Sequence, residues 1–219
     1  IGANPLLARV CAYFHDIGKL SQPAYFTENM IASGESPHDN LQPRMSSLII
    51  LNHVKDGLEM ARAYRLKRAI CNAIATHHGT DLVGYFYHRA REQEQQSRKE
   101  GKGDKEYRYP GPLPIQKEIV VLSIADACEA ASRSLTKRTP QKIRNLVNEL
   151  ILKKVREGQF DHAELTFSEV AIVRETIIKA LVNMLHERVA YPNQEKDETD
   201  TGKPDTKAEV QNASSGEAS

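Results

Sequence analysis

No apolar run in this sequence approaches the roughly 18 to 20 residues that a helix needs to cross a bilayer, so these residues are not expected to span a membrane. A secretory leader, with its charged start, apolar middle and small-residue cleavage site, is not visible either. Charge of one sign is also missing: 30 Lys and Arg face 29 Asp and Glu, for a net charge of +1. Wrapping a nucleic-acid polymer or clinging to an anionic membrane surface calls for a cationic excess, and none is present. Cysteine is scarce. Cys11, Cys71 and Cys128 are odd in number and widely spaced, and no Cys-x-x-Cys occurs. A disulfide framework or zinc knuckle is therefore not expected, and the three read as small buried thiols in a reducing compartment. Alternating strand patterns are absent as well, which leaves an all-α fold as the expectation.

What remains is enough for one sizeable domain: 219 residues, 40% hydrophobic and 27% charged. Asn4-Pro5 is a helix start, with Asn as cap and Pro in the first turn. Leu6, Leu7, Val10, Cys11 and Phe14 follow at three- and four-residue spacing, and Gly18 supplies a stop. His15-Asp16 thus falls at the inward end of a core helix. Residues 20–43, with Pro23, Gly34, Pro37 and Pro43, read as mostly loop. A second helix is expected from about Met45 to Tyr64, with Met45, Leu48, Ile49, Asn52 and His53 on one face. A third runs from about Leu66 through Ile70, Ala73 and Ile74 to Thr76-His77-His78-Gly79, where Gly79 suits a left-handed cap. Adjacent side chains on a helix are about 100° apart, so His77 and His78 share a cleft only if the helix ends at its rim.

A short helix is expected over 82–92, followed by a polar run from Glu92 to Glu106 without an apolar residue. It leads into Tyr107-Arg108-Tyr109-Pro110-Gly111-Pro112. Ile115–Leu135 reads as a helix with Ile119, Leu122, Asp126 and Ala130 on one stripe. Thr139-Pro140 opens another, with Ile143, Val147, Leu150 and Ile151 inward and Gly158 as stop. Thr166 with Glu169 forms a capping box for the last helix, through Val170, Val173, Ile177 and Leu181, which ends before Pro192. Residues 193–219 carry almost nothing apolar and read as a disordered tail.

Four separated stretches carry chemistry: His15-Asp16, His53, His77-His78 and Asp126. Imidazole nitrogen and carboxylate oxygen together suit first-row divalent metals such as manganese, iron or zinc better than calcium or magnesium. Asp16 has two oxygens and can bridge two cations, which a histidine cannot. Two metals about 3.5 to 4 Å apart, sharing a water-derived hydroxide, are suited to in-line displacement at phosphorus. Asp126 interrupts an apolar stripe, and a buried carboxylate without a cation is costly.

His15-Asp16-Ile17-Gly18-Lys19, His53, His77-His78-Gly79-Thr80 and Asp126 resemble the motifs of the HD-domain phosphohydrolase superfamily. Gly2-Ala3-Asn4-Pro5, Asn52-His53-Val54-Lys55-Asp56-Gly57, Tyr107 to Pro112 and Ile124-Ala125-Asp126 with Glu129-Ala130-Ala131 narrow the resemblance. They are similar to the cytoplasmic catalytic domain of the seven-transmembrane HD family. The likeness covers residues 1–192, as one HD-type helical bundle. It implies a metal-dependent phosphodiesterase that hydrolyses cyclic di-AMP to linear pApA, with two divalent ions, iron or manganese. Asp16 would bridge both metals; His15 and Asp126 would bind one, and His53, His77 and His78 the other. Lys19 would offset charge on a phosphate oxygen, and Tyr107, Arg108 and Tyr109 would stack on adenine or pair with the second phosphate.

The family carries a further metal-ligating histidine upstream of Gly-Ala-Asn-Pro. This sequence begins at Ile1, so it is expected to be an N-terminally truncated piece of a longer chain. Membrane contact would come only through that missing region, and the domain would lie on the cytoplasmic side; a homodimer is left open. Other readings are an HD phosphohydrolase of cyclic di-GMP or of a mononucleotide, and a nucleotide sensor without activity. The cyclic di-GMP enzymes place Gly-Tyr-Pro after the His-His motif, whereas here Gly84-Tyr85 is followed by Phe86.

Overall fold

The computed structural model describes residues 1–28, 36–96 and 103–186, and these form an all-α bundle. Seven α-helices are described: α1 (Pro5–Phe14), α2 (Pro43–Ala63), α3 (Arg68–Thr76), α4 (Gly84–Gln96), α5 (Lys117–Arg133), α6 (Pro140–Arg156) and α7 (Phe167–His186). Short 3-10 turns cover Ile17–Ser21, Pro23–Tyr25, Pro37–Asn40 and Asp104–Tyr107. Among the described residues there is no strand, only an isolated bridge between Leu82 and Arg108. The expected tail from residue 193 lies outside the described residues.

Helix ends follow local chemistry. The Asn4 side chain accepts from the amides of Leu6 and Leu7, and the Thr139 hydroxyl accepts from Lys142. Thr166 and Glu169 exchange hydrogen bonds as a capping box. Gly79 (φ 52°) and Gly158 (φ 66°) take the left-handed conformation that closes a helix and that favours a residue without Cβ.

Helix α5 organises the core because it is apolar on two sides. Val120, Ile124 and Cys128 pack with Ile143, Val147 and Ile151 of α6 and Val173, Ile177, Ile178 and Leu181 of α7. Ile119 and Leu122 pack with Cys11 of α1 and Ala73 of α3. Asp126 lies on the second side, toward α1.

Two expectations are corrected. Met45 and Leu48 do not face inward; each is 50% exposed. The buried face of α2 is Ser46, Ser47, His53, Val54, Gly57 and Ala61, because its neighbours approach too closely for long side chains. The polar run also does not begin as loop, since α4 continues to Gln96. Phe86 and Ala90 bury one edge of α4, and Arg, Gln and Glu are good helix formers on the rest.

The closest approach is at Gly18. A Cβ there would lie 1.8 Å from the carbonyl oxygen of His53 and 2.5 Å from the amide nitrogen of Gly57. Both are backbone atoms that no rotamer change can move. Gly18→Ala is expected to destabilise the protein by about 3 kcal/mol or more, since overpacking displaces backbone here. For a chain of this size that lowers Tm by roughly 6 to 12 °C, readable by circular dichroism. Gly84→Ala, where nothing lies within 4 Å of the added carbon, should leave Tm close to wild type.

Candidate metal centre

α1 stops one residue before His15, whose amide still bonds to the Cys11 carbonyl, and Asp16 opens the following 3-10 turn. The turn swings Asp16 back over α2 and α3. His53 comes from the middle of α2, His77 and His78 from the end of α3, and Asp126 from α5.

The imidazoles share one arrangement. His15 Nδ1 lies 2.9 Å from the Ala12 carbonyl, His53 Nδ1 2.6 Å from that of Ile50, and His77 Nδ1 3.0 Å from that of Ile74. A carbonyl only accepts, so each Nδ1 must carry the proton and donate it. Each Nε2 of a neutral ring is then a bare lone pair, and all three point at Asp16. His53 Nε2 is 3.3 Å and His77 Nε2 3.6 Å from Asp16 Oδ1, while His15 Nε2 is 3.2 Å from Asp16 Oδ2. Asp126 Oδ1 is 3.8 Å from His15 Nε2. His53 Nε2 and His77 Nε2 face one another at 3.5 Å, two acceptors without a proton between them.

Buried lone pairs converging on a carboxylate are unfavourable unless a cation lies among them. His15 Nε2 and Asp16 Oδ1 are buried without a hydrogen-bond partner among the described residues. One set of donor atoms, from Asp16, His53, His77 and His78, lies within 4.8 Å of one another, and so does a second set from His15, Asp16 and Asp126. Asp16 belongs to both. Backbone-fixed tautomers of this kind orient metal-binding histidines, so the donor set fits divalent metal.

The charges adapt when no cation is present. Burial opposes protonation of His15, but the nearby carboxylates of Asp126 and Asp16 outweigh it and raise its pKa to about 10. Burial also opposes ionisation of Asp16, yet contacts with His15, His53 and His77 hold it well below the usual carboxylate range. Asp126 is lowered in the same way, chiefly by His15 acting against burial. Burial lowers His77, and it pushes His78 well below the ordinary imidazole value with help from the charge of its histidine neighbours. Lys19 Nζ sits 2.7 Å from Asp16 Oδ2 and 2.5 Å from Glu28 Oε1.

These groups open into a cleft of about 1000 Å³. Tyr25, Phe26, Tyr85 and Phe86 give it an aromatic lining, and α5 contributes Asp126, Glu129 and Arg133. Tyr109 also lines it, stacked on His78 with ring centroids 4.1 Å apart. The two residues before it are placed elsewhere. Tyr107 is buried with Phe86 and Ala90 in a separate cluster. Arg108 turns to Asp104 (2.7 Å), Glu157 (3.2 Å) and the Thr80 carbonyl (3.1 Å), so its donors are already used away from the cleft. The sequence reading missed Tyr25, Phe26, His38, Tyr85 and Phe86. They lie on short turns and the start of α4, where no periodicity marks a shared face.

A sequence profile of the HD domain family matches residues 1–131. The cyclic-di-AMP phosphodiesterase PgpH of Bacillus subtilis (strain 168) is 41% identical over 196 residues, covering 90% of this chain and 27% of the relative. PgpH of Listeria monocytogenes serotype 1/2a (strain 10403S) is 40% identical over 193 residues, 88% of this chain and 26% of the relative. The chain thus spans about a quarter of the length of these curated relatives. The crystal structure of the L. monocytogenes PgpH HD domain superposes with a TM-score of 0.77 at 40% identity, covering 84% of each chain. The same domain in complex with cyclic di-AMP gives 0.78 at 40% identity, covering 84% of this chain and 83% of that one.

The shifted histidines set the pH dependence of the metal-free protein. His15 is raised from 6.5 to about 10, so its contribution is complete below pH 6.5 and fades as pH rises through 10. His77 and His78 are lowered from 6.5, so their neutral burial favours folding above pH 6.5 and that benefit is lost as the unfolded chain takes up protons below it. Asp16 and Asp126, lowered from 3.8, add a further loss at more acid pH. Tm of chelator-treated protein should therefore peak near pH 6.5 and fall on both sides. His15→Asn should flatten the alkaline limb and also lessen the loss at the most acid pH, since His15 is what chiefly lowers Asp16 and Asp126. A Tm that still rises from pH 7 to 9 in the parent chain would contradict this assignment.

Proposed function

The chain belongs to the HD-domain family, and from that premise we propose that it is a metal-dependent phosphodiesterase that opens cyclic di-AMP to linear pApA. One observation carries the reading: the two oxygens of Asp16 face different donor sets, Oδ1 toward His53 and His77 and Oδ2 toward His15. A carboxylate placed at such a junction can serve two cations at once. His15, Asp16 and Asp126 would hold one, and Asp16, His53, His77 and His78 the other, with imidazole-rich ligands favouring iron or manganese over magnesium. When bound, the pair would supply Lewis-acid charge at the phosphoryl group and a water-derived nucleophile at neutral pH.

The chain's own residues would do the rest. Backbone carbonyls of Ala12, Ile50, Ala73 and Ile74 keep the rings of His15, His53 and His77 in one orientation, so these three need little reorganisation when ligand arrives. Lys19 places its ammonium beside Asp16, where it would offset charge growing on a phosphoryl oxygen. Glu28 and the Phe26 face, 5.4 Å below the ammonium, keep it there. Tyr109, stacked on His78, would shield the metal-binding rings from water. Tyr25, Phe26, Tyr85 and Phe86 offer apolar faces against which bases can stack, worth about 1 to 3 kcal/mol per base. The similar Listeria domain crystallises in complex with cyclic di-AMP, which supports an adenine dinucleotide as the substrate class.

By the same resemblance we place the domain on the cytoplasmic side of a membrane, within a longer protein. Among the described residues no helix is long and apolar enough to cross one.

The test is incubation of the manganese- or iron-loaded chain with cyclic di-AMP and, separately, cyclic di-GMP. Chromatography should show pApA from the first, and Asp16→Asn should lower turnover at least ~100-fold. Lys19→Ala should lower turnover more than it raises KM. Hydrolysis of the guanine compound alone would overturn the substrate assignment. Tight nucleotide binding by metal-loaded protein without any linear product would replace the enzyme by a sensor.

A further inference from the structure

The turn Gly79-Thr80-Asp81, directly after the two histidines of α3, is gripped from outside the stretch that matches the HD profile. Lys154 of α6 is 5% exposed, and its ammonium contacts Asp81 Oδ2 and lies 3.1 Å from Ser123 Oγ of α5. Gln159, just beyond α6 and 2% exposed, accepts from the Thr80 amide at 3.0 Å. Its Nε2 donates to the Thr80 hydroxyl at 2.8 Å. The Thr80 carbonyl accepts from Arg108, and the Asp81 carbonyl accepts from the Tyr109 amide at 3.0 Å. The Asp81 amide in turn donates back to the His78 carbonyl at 2.9 Å. Gly79 is left-handed, and a Cβ on it would come within 2.4 Å of Gln159 Oε1.

A buried ammonium paired with a single carboxylate is weak evidence for stability, because an apolar pair of similar volume often does as well. What such a pair does supply is a fixed geometry. Here it fixes a turn whose first residue follows His78 and whose last residue holds the backbone of Tyr109, the ring stacked on His78. Lys154 touches neither a metal-binding atom nor the cleft, so its contacts reach the site through Asp81 and Ser123, beside the direct effect of its charge on His78.

We propose that Lys154, together with Gln159, is a positioning residue: it locks the 79–81 turn and thereby sets the orientation of His77, His78 and the Tyr109 ring at the metal centre. This rests on the metal reading of that centre. The C-terminal helices then belong to the functional unit, although the HD profile ends at residue 131. Arg108 joins the same clamp through Thr80 and Glu157, which accounts for its place away from the cleft.

The experiment titrates the whole 219-residue chain with Co(II) alone, following the visible absorption of bound cobalt, and separately measures Tm after chelation. Lys154→Met and Gln159→Leu should each weaken Co(II) binding roughly 10- to 100-fold and alter the absorption envelope, as loss of an outer-shell partner does. Lys154→Met/Asp81→Asn should not fall further than Lys154→Met alone, since Lys154→Met already removes the contact that Asp81 makes to α6. If both single variants lower the chelated Tm yet bind Co(II) with wild-type affinity and envelope, the residues are merely structural and the proposal fails. Should Lys154→Met not fold, Gln159→Leu decides by the same two readouts. Failure of the wild-type chain to bind Co(II) would instead overturn the metal reading itself, and the positioning role with it.

Discussion

The site depends on a contact between backbones. Gly18 lies so close to His53 and Gly57 that a single added carbon would overlap α2, and Gly57 in turn has Ile74 of α3 at 3.0 Å from where its own Cβ would be. One packed point thus joins the turn carrying His15-Asp16, the helix carrying His53 and the helix carrying His77-His78. Asp16 reaches two imidazoles of different helices at 3.3 and 3.6 Å because nothing but backbone separates the elements. The cluster of Cys11, Ala73, Ile119 and Leu122 then brings α5, and with it Asp126, against the same assembly. Small residues rather than large ones bring the ligands together.

That closeness creates an electrostatic problem with two solutions. Without a cation, a proton on His15 and the ammonium of Lys19 balance Asp16 and Asp126, and the lone pairs of His53 and His77 are left facing one another. With a cation held as proposed, His15 would give up its proton, because a metal binds the neutral ring. The same balance explains why burial alone does not neutralise Asp16: the His15 ring and the Lys19 ammonium both lie against its Oδ2.

Much of this was legible in the sequence, and the division is physical. The helix starts at Asn4-Pro5, Thr139-Pro140 and Thr166-x-x-Glu169 were readable because a cap is a local interaction between neighbours in the chain. The motif residues His15, Asp16, His53, His77, His78 and Asp126 were readable as a set through resemblance and donor chemistry, and the structure brings them together. The inward face of α2 was misread at Met45 and Leu48, since apolar periodicity notices large residues and here the close face is Ser46, Gly57 and Ala61. Tyr107 and Arg108 were drawn toward the substrate by adjacency to Tyr109. Arg108 is extended, so its side chain points away from that of Tyr109, whereas Tyr107 closes the 3-10 turn Asp104–Tyr107, which turns it into the Phe86 and Ala90 cluster. The aromatic lining from Tyr25, Phe26, Tyr85 and Phe86 had no sequence signal, because residues on short turns meet only through tertiary packing.

The order of the chain places recognition motifs first and support last, and the packing reverses that order. Helices α6 and α7 carry none of the proposed metal-binding set, yet they pack on the Val120, Ile124 and Cys128 side of α5. Removing them would expose Val120, Ile124 and Cys128 and release Lys154 and Gln159 from the turn after His78. A helix such as α5 that is apolar on two sides has no stable existence as an outer layer. The candidate metal centre on the α1 side of α5 is accordingly held in register by the apolar packing on the other side, and the buried polar grip on residues 79–81 is the link that carries this register from α6 to the histidines of α3.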